Sequence, residues 1–188
     1  MKKLISFPLM MSFVLLAIIP SCKKSDDAAV AAGAQGSGSL SSGKASIVFN
    51  TSAAFAGGTS FSQSNTASTL AQTSTGTFRT IALSATEVSG TSTRTAFLNI
   101  SVPASANTVS GNLTGDFANP NNATILPVLT LTSTSGASNG IAYASQTGTC
   151  TITKLTATEI EGTFSCVVKD TNGTATLSVT SGSFAGKF

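Results

Sequence analysis

Apolar and polar residues alternate along the end of the chain, from Gly148 to Phe188. A period of two is typical of a strand with one face in a core and the other in water. The apolar parity changes after Val179, and we expect a bulge or tight turn near Gly182 to accommodate the change. This stretch therefore predicts antiparallel hairpins with one buried face. The residues on the core face of its first two strands are Cys150, Ile152, Phe164, Cys166 and Val168.

The turns between these strands predict which residues face each other. We centre the turn between Leu155 and Ile160 on Thr158, and we place the next turn at Asn172-Gly173, a sequence that favours a tight hairpin. All of the resulting pairs lie on the predicted core face. They are Cys150–Cys166, Ile152–Phe164, Val168–Leu177 and Cys166–Val179.

An earlier hairpin follows from the same alternation. The segments Phe78–Glu87 and Arg94–Val102 lie on either side of a predicted turn at Gly90-Thr91. Because opposed residues share a face, this turn brings the apolar sets of both segments together. The pairs that it predicts are Ile81–Ile100 and Leu83–Leu98.

The rest of the folded region also consists of short strand-like segments. Further strands are predicted at Ala45–Thr51, Thr108–Thr114, Thr124–Thr132 and Gly140–Ser145. Between Thr59 and Gly76, two short strands around Phe61 and Leu70 or one long polar loop both fit the pattern. No helix is needed in the mature domain. The predicted fold class is all-β: a single antiparallel up-and-down meander of about eight to ten strands, barrel-like (calycin-like) or a sandwich.

The N-terminus has the parts of a secretory signal peptide, at residues 1–21. Lys2 and Lys3 precede an apolar run, and Ile19-Pro20-Ser21-Cys22 resembles a bacterial lipobox. In a lipobox the cysteine receives the lipid, so Cys22 is the predicted lipidation site and the membrane anchor. The alternative is an ordinary signal peptide that ends beside a chance cysteine. Residues 22–43 are rich in Gly, Ala and Ser and predict a flexible tether, which leaves 44–188 for one all-β domain.

The charge of the mature chain excludes one class of partner. Charged residues are only 9% of the sequence, against about a quarter in average proteins. Removal of Lys2 and Lys3 leaves eight basic and seven acidic residues. The six basic residues of the folded region are scattered singly. Binding of nucleic acid needs a clustered basic face, so we expect no nucleic acid partner.

The absence of histidine excludes the commonest hydrolytic sites. A Ser-His-Asp or Cys-His arrangement lacks its base, and zinc lacks ligands. Glu159 and Glu161 flank a turn, where solvated carboxylates are expected. Oxygen ligands for calcium could come from one Asn-rich loop, although Asn and Asp are also common turn residues. The residues of that loop are Asp116, Asn119, Asn121 and Asn122. We assign no catalytic, cofactor-binding or metal-binding residue, and we expect neither enzymatic activity nor a cofactor.

Cys150 and Cys166 are the two cysteines of the folded region. Opposed residues of an antiparallel pair are close enough for a disulfide, and export would place the pair in an oxidising compartment. The bond would close a loop of about 15 residues and stabilise the fold by roughly 3 kcal/mol. We therefore predict a Cys150–Cys166 disulfide. The alternative is two buried thiols that pack as small apolar groups.

Two stretches resemble bacterial lipoproteins of the Bacteroidota. The run Lys23-Lys24-Ser25-Asp26-Asp27 is similar to the segment that follows the lipidated cysteine in their surface-exported members. The segments Gly148–Lys154, Gly162–Cys166 and Thr180–Phe184 resemble the GTxTITK, GTFS and SG-F motifs of a family of small all-β lipoproteins. The resemblance implies a single all-β domain on a lipid anchor in the outer membrane, exposed on the cell surface or on the periplasmic face. It implies no activity.

The sequence therefore predicts a surface-anchored lipoprotein that binds or presents a ligand without enzymatic activity. Its protein or glycan partner is not specified by any motif. One alternative is a barrel that holds a small apolar ligand inside, and another is a structural component of a cell-surface assembly. The residues that would line the ligand cavity are Leu83, Leu98, Tyr143 and Phe164.

Overall fold

The computed structural model describes residues 36–106, 112–117, 125–135 and 138–188. This part of the chain is almost entirely strand, apart from short 3-10 turns at Ser37–Ser39 and Asn65–Ala67. Its ten strands are β1 Lys44–Phe55, β2 Gly58–Ser64, β3 Ser68–Thr75, β4 Phe78–Ser89, β5 Ser92–Pro103, β6 Leu113–Asp116, β7 Leu126–Ser135, β8 Ser138–Leu155, β9 Glu159–Asp170 and β10 Thr176–Lys187.

The strands form one curled half-barrel sheet in which every pair is antiparallel. Their order is β2-β1-β10-β9-β8-β7-β5-β4-β3, and β6 pairs with β8 beyond the start of β7. Most neighbours are therefore consecutive in the chain, as in a meander. The exceptions are β1, which pairs with β10, and β5, which pairs with β7. The prediction of an all-β, barrel-like meander is confirmed. Residues 59–76 form two strands, β2 and β3, with Phe61 and Leu70 buried.

Several predicted pairs are present in the sheet. The Gly90 turn produces the two apolar pairs that the sequence predicts between β4 and β5. Val168 lies opposite Leu177, and Cys166 lies opposite Val179. The register of β10 then shifts between Val179 and Gly182, which confirms the predicted bulge. Ser181 has a positive φ of 52° there.

The predicted register between β8 and β9 is wrong by two residues. Cys150 lies opposite Phe164, and Gly148 lies opposite Cys166. The hairpin closes with Leu155 opposite Ile160, which shifts the pairing by one residue from the predicted register. A bulge between Ile152 and Lys154 shifts the pairing by one residue more. Two single-residue shifts keep the parity, so the predicted core face is still the buried one.

Glycine and phenylalanine form a reciprocal pair across β9 and β10. Gly182 lies opposite Phe164, and Phe184 lies opposite Gly162. A Cβ on Gly162 would come within 2.7 Å of the Phe184 ring, and one on Gly182 would come within 2.7 Å of the Phe164 ring. Each ring therefore covers the glycine of the other strand, a known way to stabilise glycine within a sheet. The GTFS and SG-F motifs encode this packing.

Aromatic rings fill the inside of the curled sheet. Phe49 stacks on Phe61 with ring centroids 4.9 Å apart, and its edge meets Phe164 at 6.1 Å. Phe164 in turn lies 6.3 Å from Phe184. Aliphatic side chains complete the same cluster, and they come from β4, β5, β7, β8, β9 and β10. The core therefore occupies the concave side of the sheet.

Candidate functional site

The chain enters the domain through a charged cluster that we call the Ser37 cluster, formed by Ser37, Lys154, Glu159 and Glu161. The Ser37 backbone N–H donates to Glu161 Oε1 at 2.8 Å, and its hydroxyl donates to the same oxygen. Lys154 Nζ lies 2.6 Å from Glu159 Oε2 and 3.3 Å from Ser37 Oγ. Residues on the two sides of the β8–β9 turn thus hold a segment that precedes β1.

Each charge of the Ser37 cluster is held in its ionised form. The bonds from Ser37 keep the pKa of Glu161 below its ordinary value, although burial opposes the shift. The hydrogen bond from Lys154 lowers the pKa of Glu159, and the same bond raises the pKa of Lys154. Since each shift favours the charged form, the cluster is an ion-pair network at neutral pH.

A serine beside a lysine invites comparison with a Ser-Lys catalytic dyad. Such a dyad needs a neutral lysine that accepts the serine proton and a hydroxyl that substrate can reach. Here the raised pKa keeps Lys154 protonated. Ser37 is 0% exposed, and its hydroxyl donates a hydrogen bond to Glu161. The geometry suits attachment of a segment rather than nucleophilic attack.

The residues that follow Ser37 are also attached to the domain. Leu40 is buried, and Ser42 Oγ donates to the Phe188 carbonyl at 2.9 Å. Gly43 N donates to Lys187 O at 2.7 Å, while its own carbonyl accepts from Leu70 N at 2.9 Å. Within the predicted tether 22–43, Ser37 and Leu40 are therefore buried against the domain, and Ser42 and Gly43 are hydrogen-bonded to it.

A second cluster lies at the other end of β1, where Arg94 meets the free edge of β2. Arg94 Nη1 donates to the carbonyls of Phe55 and Gly58, each at 3.2 Å, and Nη2 donates to Ser60 O at 2.9 Å. Glu87 pairs with Arg94 from the opposite position on β4. The guanidinium therefore takes the place of a neighbouring strand for these carbonyls. Glu87 and Arg94 fall on the same alternating positions as the buried residues of β4 and β5, and this placement was a sequence signal for the pair.

Arg79 is a second buried arginine, and its surroundings differ. Its Nη2 donates to Ala106 O at 3.2 Å, and its guanidinium lies 5.9 Å above the Phe188 ring. Within the described residues its Nε has no hydrogen-bond partner, and no carboxylate forms an ion pair with it. Burial lowers its pKa.

Cys150 and Cys166 are free thiols, so the structure does not contain the predicted disulfide. The register places them diagonally rather than face to face. Burial raises the pKa of both thiols to about 12, and the charge of Cys166 adds to the effect on Cys150. Both are thus packed as small apolar groups, which is the alternative that the sequence left open.

The other predicted positions lie partly outside the described residues. Residues 1–21, Cys22 and three of the four loop residues considered for calcium fall there, and Asp116 ends β6. Among the described residues, no three His, Cys, Asp or Glu side chains are grouped as a metal site requires. That same part of the chain contains no helix of the length and apolarity needed to cross a membrane.

Three surface recesses can be compared with ligand sites. One of about 160 Å³ adjoins Arg94 and Gly58, one of about 260 Å³ lies between Lys44 and Thr86, and one of about 240 Å³ lies over Cys166. Pockets for small molecules usually measure about 300 to 1,000 Å³. These recesses are smaller, so none of them has the size of a typical small-molecule site.

No family model, curated protein or solved structure matches this chain.

Proposed function

We propose that the protein is a lipoprotein anchored at Cys22 in the outer membrane, which binds or presents a partner at the cell surface without enzymatic activity. The anchor rests on the lipobox-like sequence that ends at Cys22, and the observation that carries the binding part of this proposal is the ring-filled concave side of the sheet. Phe164 contacts the rings of Phe49 and Phe184, and Leu83 and Leu98 are fully buried in the same cluster. Contacts with a partner are therefore expected on the outside of the half-barrel.

The outside of the sheet offers polar strands with a few apolar side chains. On the outer face of β5 and β7, Phe97 and Val128 are 39% and 50% exposed. They are diagonal neighbours, because Asn99 lies opposite Val128 and Thr130 lies opposite Phe97. A small apolar centre within a polar surround is common at protein interfaces. This face is the first place to look for a partner contact.

The small-ligand barrel has less support. Three of the four side chains that would line its cavity, Leu83, Leu98 and Phe164, are at most 4% exposed, and the fourth, Tyr143, meets Phe55 edge to face at 6.0 Å. A ligand of useful size would have to displace one of these rings. We therefore do not propose this function.

Anchoring is tested by growing cells with an alkyne-labelled palmitate. Wild-type protein should carry the label, and Cys22→Ala should lose it and leave the membrane fraction. Equal labelling of the two proteins would contradict the anchor. Surface exposure is tested separately by protease treatment of intact cells, in which loss of the domain indicates the outer face and its protection until lysis indicates the periplasmic face.

A further inference from the structure

The outer edge of β3 is an open strand edge along residues 71–75. All five residues are exposed, and β4 is the only strand that pairs with them in the described part of the chain. The Leu70 N–H points away from β4, since it donates to the Gly43 carbonyl at 2.9 Å. Backbone direction alternates along a strand, so Gln72 and Ser74 also direct their N–H and C=O groups away from β4.

Side chains occupy parts of the two sheet edges elsewhere. At the start of β3, the Ser68 carbonyl accepts from Lys44 Nζ at 3.2 Å. On β2, the carbonyls of Gly58 and Ser60 accept from Arg94. Exposed edges usually carry a charge, a proline or a bulge that prevents pairing with another chain. The segment Ala71–Thr75 has no charge and no proline, and its register with β4 is unbroken.

We propose that this edge pairs with the same edge of a second copy of the chain. An antiparallel pair centred on Thr73 places Gln72 opposite the partner's Ser74, so that the outward groups of both residues form about four backbone hydrogen bonds. Ala71 then faces Thr75, and the two Thr73 side chains meet on the twofold axis. No like charges oppose each other. A foreign strand could use the same groups, but the uncharged, self-complementary sequence favours a second copy.

This interface would join two half-barrels into one continuous sheet. It does not depend on the lipid anchor, because it rests only on the edge of β3. It gives a physical basis for a protein that takes part in an assembly at the cell surface. Failure of the acyl-labelling experiment would leave the interface intact, and failure of the interface would leave the anchor intact.

Cysteine cross-linking in intact cells tests the predicted register. The two copies of Thr73 form a pair without mutual hydrogen bonds, whose Cα atoms are about 4.5 Å apart, within the range for a disulfide. In the full chain, Thr73→Cys should give a disulfide-linked dimer on mild oxidation. Thr91→Cys, on the exposed β4–β5 turn, is the matched control and should stay monomeric. Equal cross-linking of the two variants, or linkage of Thr73→Cys to a different protein, would overturn the proposal.

Sedimentation of the full chain in detergent tests whether the dimer depends on the backbone groups and side chains at the edge of β3. Gln72→Pro removes an N–H that β4 does not use and should weaken the dimer by about tenfold or more, whereas Gln72→Ala keeps the N–H and should leave it unchanged. Thr73→Lys and Thr73→Glu should each be monomeric alone and should pair when mixed. A wild-type chain that stays monomeric at every concentration, or mixed charge variants that do not pair, would refute the interface even if the proline variant misfolds.

Discussion

At the scale of single residues, three glycines lie where any side chain would collide with the neighbouring strand. Gly162 and Gly182 each lie beneath a phenylalanine ring, and Gly148 faces Cys166 with a φ of 134°, where a Cβ would come within 2.7 Å of the Cys166 Cβ. These glycines therefore set the distance between strands as well as their register. Glycines that could be taken only as markers of strand ends or turns are therefore required for packing between strands.

Gly162→Ala should destabilise the fold by about 1–3 kcal/mol, the range of overpacked core positions. The new Cβ would overlap the Phe184 ring and the Thr151 carbonyl. The measurement is the urea midpoint of unfolding at constant slope. Gly38→Ala is the matched control, because nothing lies within 4 Å of its Cβ position. Equal midpoints for the two variants would contradict the packing role.

The two thiols of the domain should be present but unreactive in the native protein. With the pKa of each at about 12, almost no thiolate exists at neutral pH, and both side chains are buried. Titration with a thiol reagent should find both only after denaturation, without any reductant. Cys150→Ala and Cys166→Ala should each remove one reactive thiol. Denatured, unreduced wild type without either thiol would show that a disulfide forms after all.

At the scale of elements, local turns could be predicted better than bulges. The β4–β5 register follows from one tight turn, and each step away from that turn repeats the same pairing. The β8–β9 register depends on a longer turn and on two bulges, between Ser145 and Thr147 and between Ile152 and Lys154. A bulge changes the pairing without changing the apolar pattern, so alternation alone identifies the buried face but not the partner.

The charged clusters were harder to predict, because their members come from distant elements. Ser37 and Glu161 are separated by more than a hundred residues, and no local pattern connects them. The pairing of Glu87 with Arg94 could be predicted from the sequence, since the predicted β4–β5 register already places them opposite each other. What that register could not reveal is the edge of β2, whose carbonyls Arg94 binds.

The two buried arginines should respond differently to replacement by methionine. Arg94→Met leaves the carboxylate of Glu87 and three carbonyls without a donor, and should cost about 3–5 kcal/mol. Arg79→Met removes a buried cation that lacks an ion pair among the described residues, and should change stability by about 1 kcal/mol or less. Urea unfolding measures both. Equal losses would mean that Arg94 does not support the edge of β2.

The Ser37 cluster should weaken in acid. The folded pKa of Glu161 lies below its ordinary value of 4.5, so its contribution to stability is complete above that value and is lost as the pH falls through the lowered pKa. The difference in melting temperature between wild type and Glu161→Gln should therefore be constant near neutral pH and shrink in acid. Ser37→Ala removes the largest cause of the shift and should reduce this pH dependence. A difference independent of pH would exclude the network.

At the scale of the whole molecule, the sheet is completed by strands from the two ends of the domain. β1 pairs with β10, so Ile47 lies opposite Phe184 although the two are far apart in sequence. The other neighbours along the sheet are mostly joined by short turns. The entropy of closing so long a loop has to be overcome before β1 can contribute to the core. We therefore expect the meander from β3 to β10 to form first and β1 to add late.

Matched substitutions in β1 and β5 test this order of folding. Ile47 and Ile100 are both fully buried, and replacement of either by Val should destabilise the protein by about 1 kcal/mol. Ile100 pairs with Ile81 in a local hairpin, so Ile100→Val should slow folding, by up to about fivefold. Ile47→Val should instead accelerate unfolding and leave the folding rate nearly unchanged, because its contacts form after the transition state. Stopped-flow measurements of both limbs of the chevron distinguish the two effects, and a slower folding rate for Ile47→Val would place the closure of β1 on β10 within the transition state.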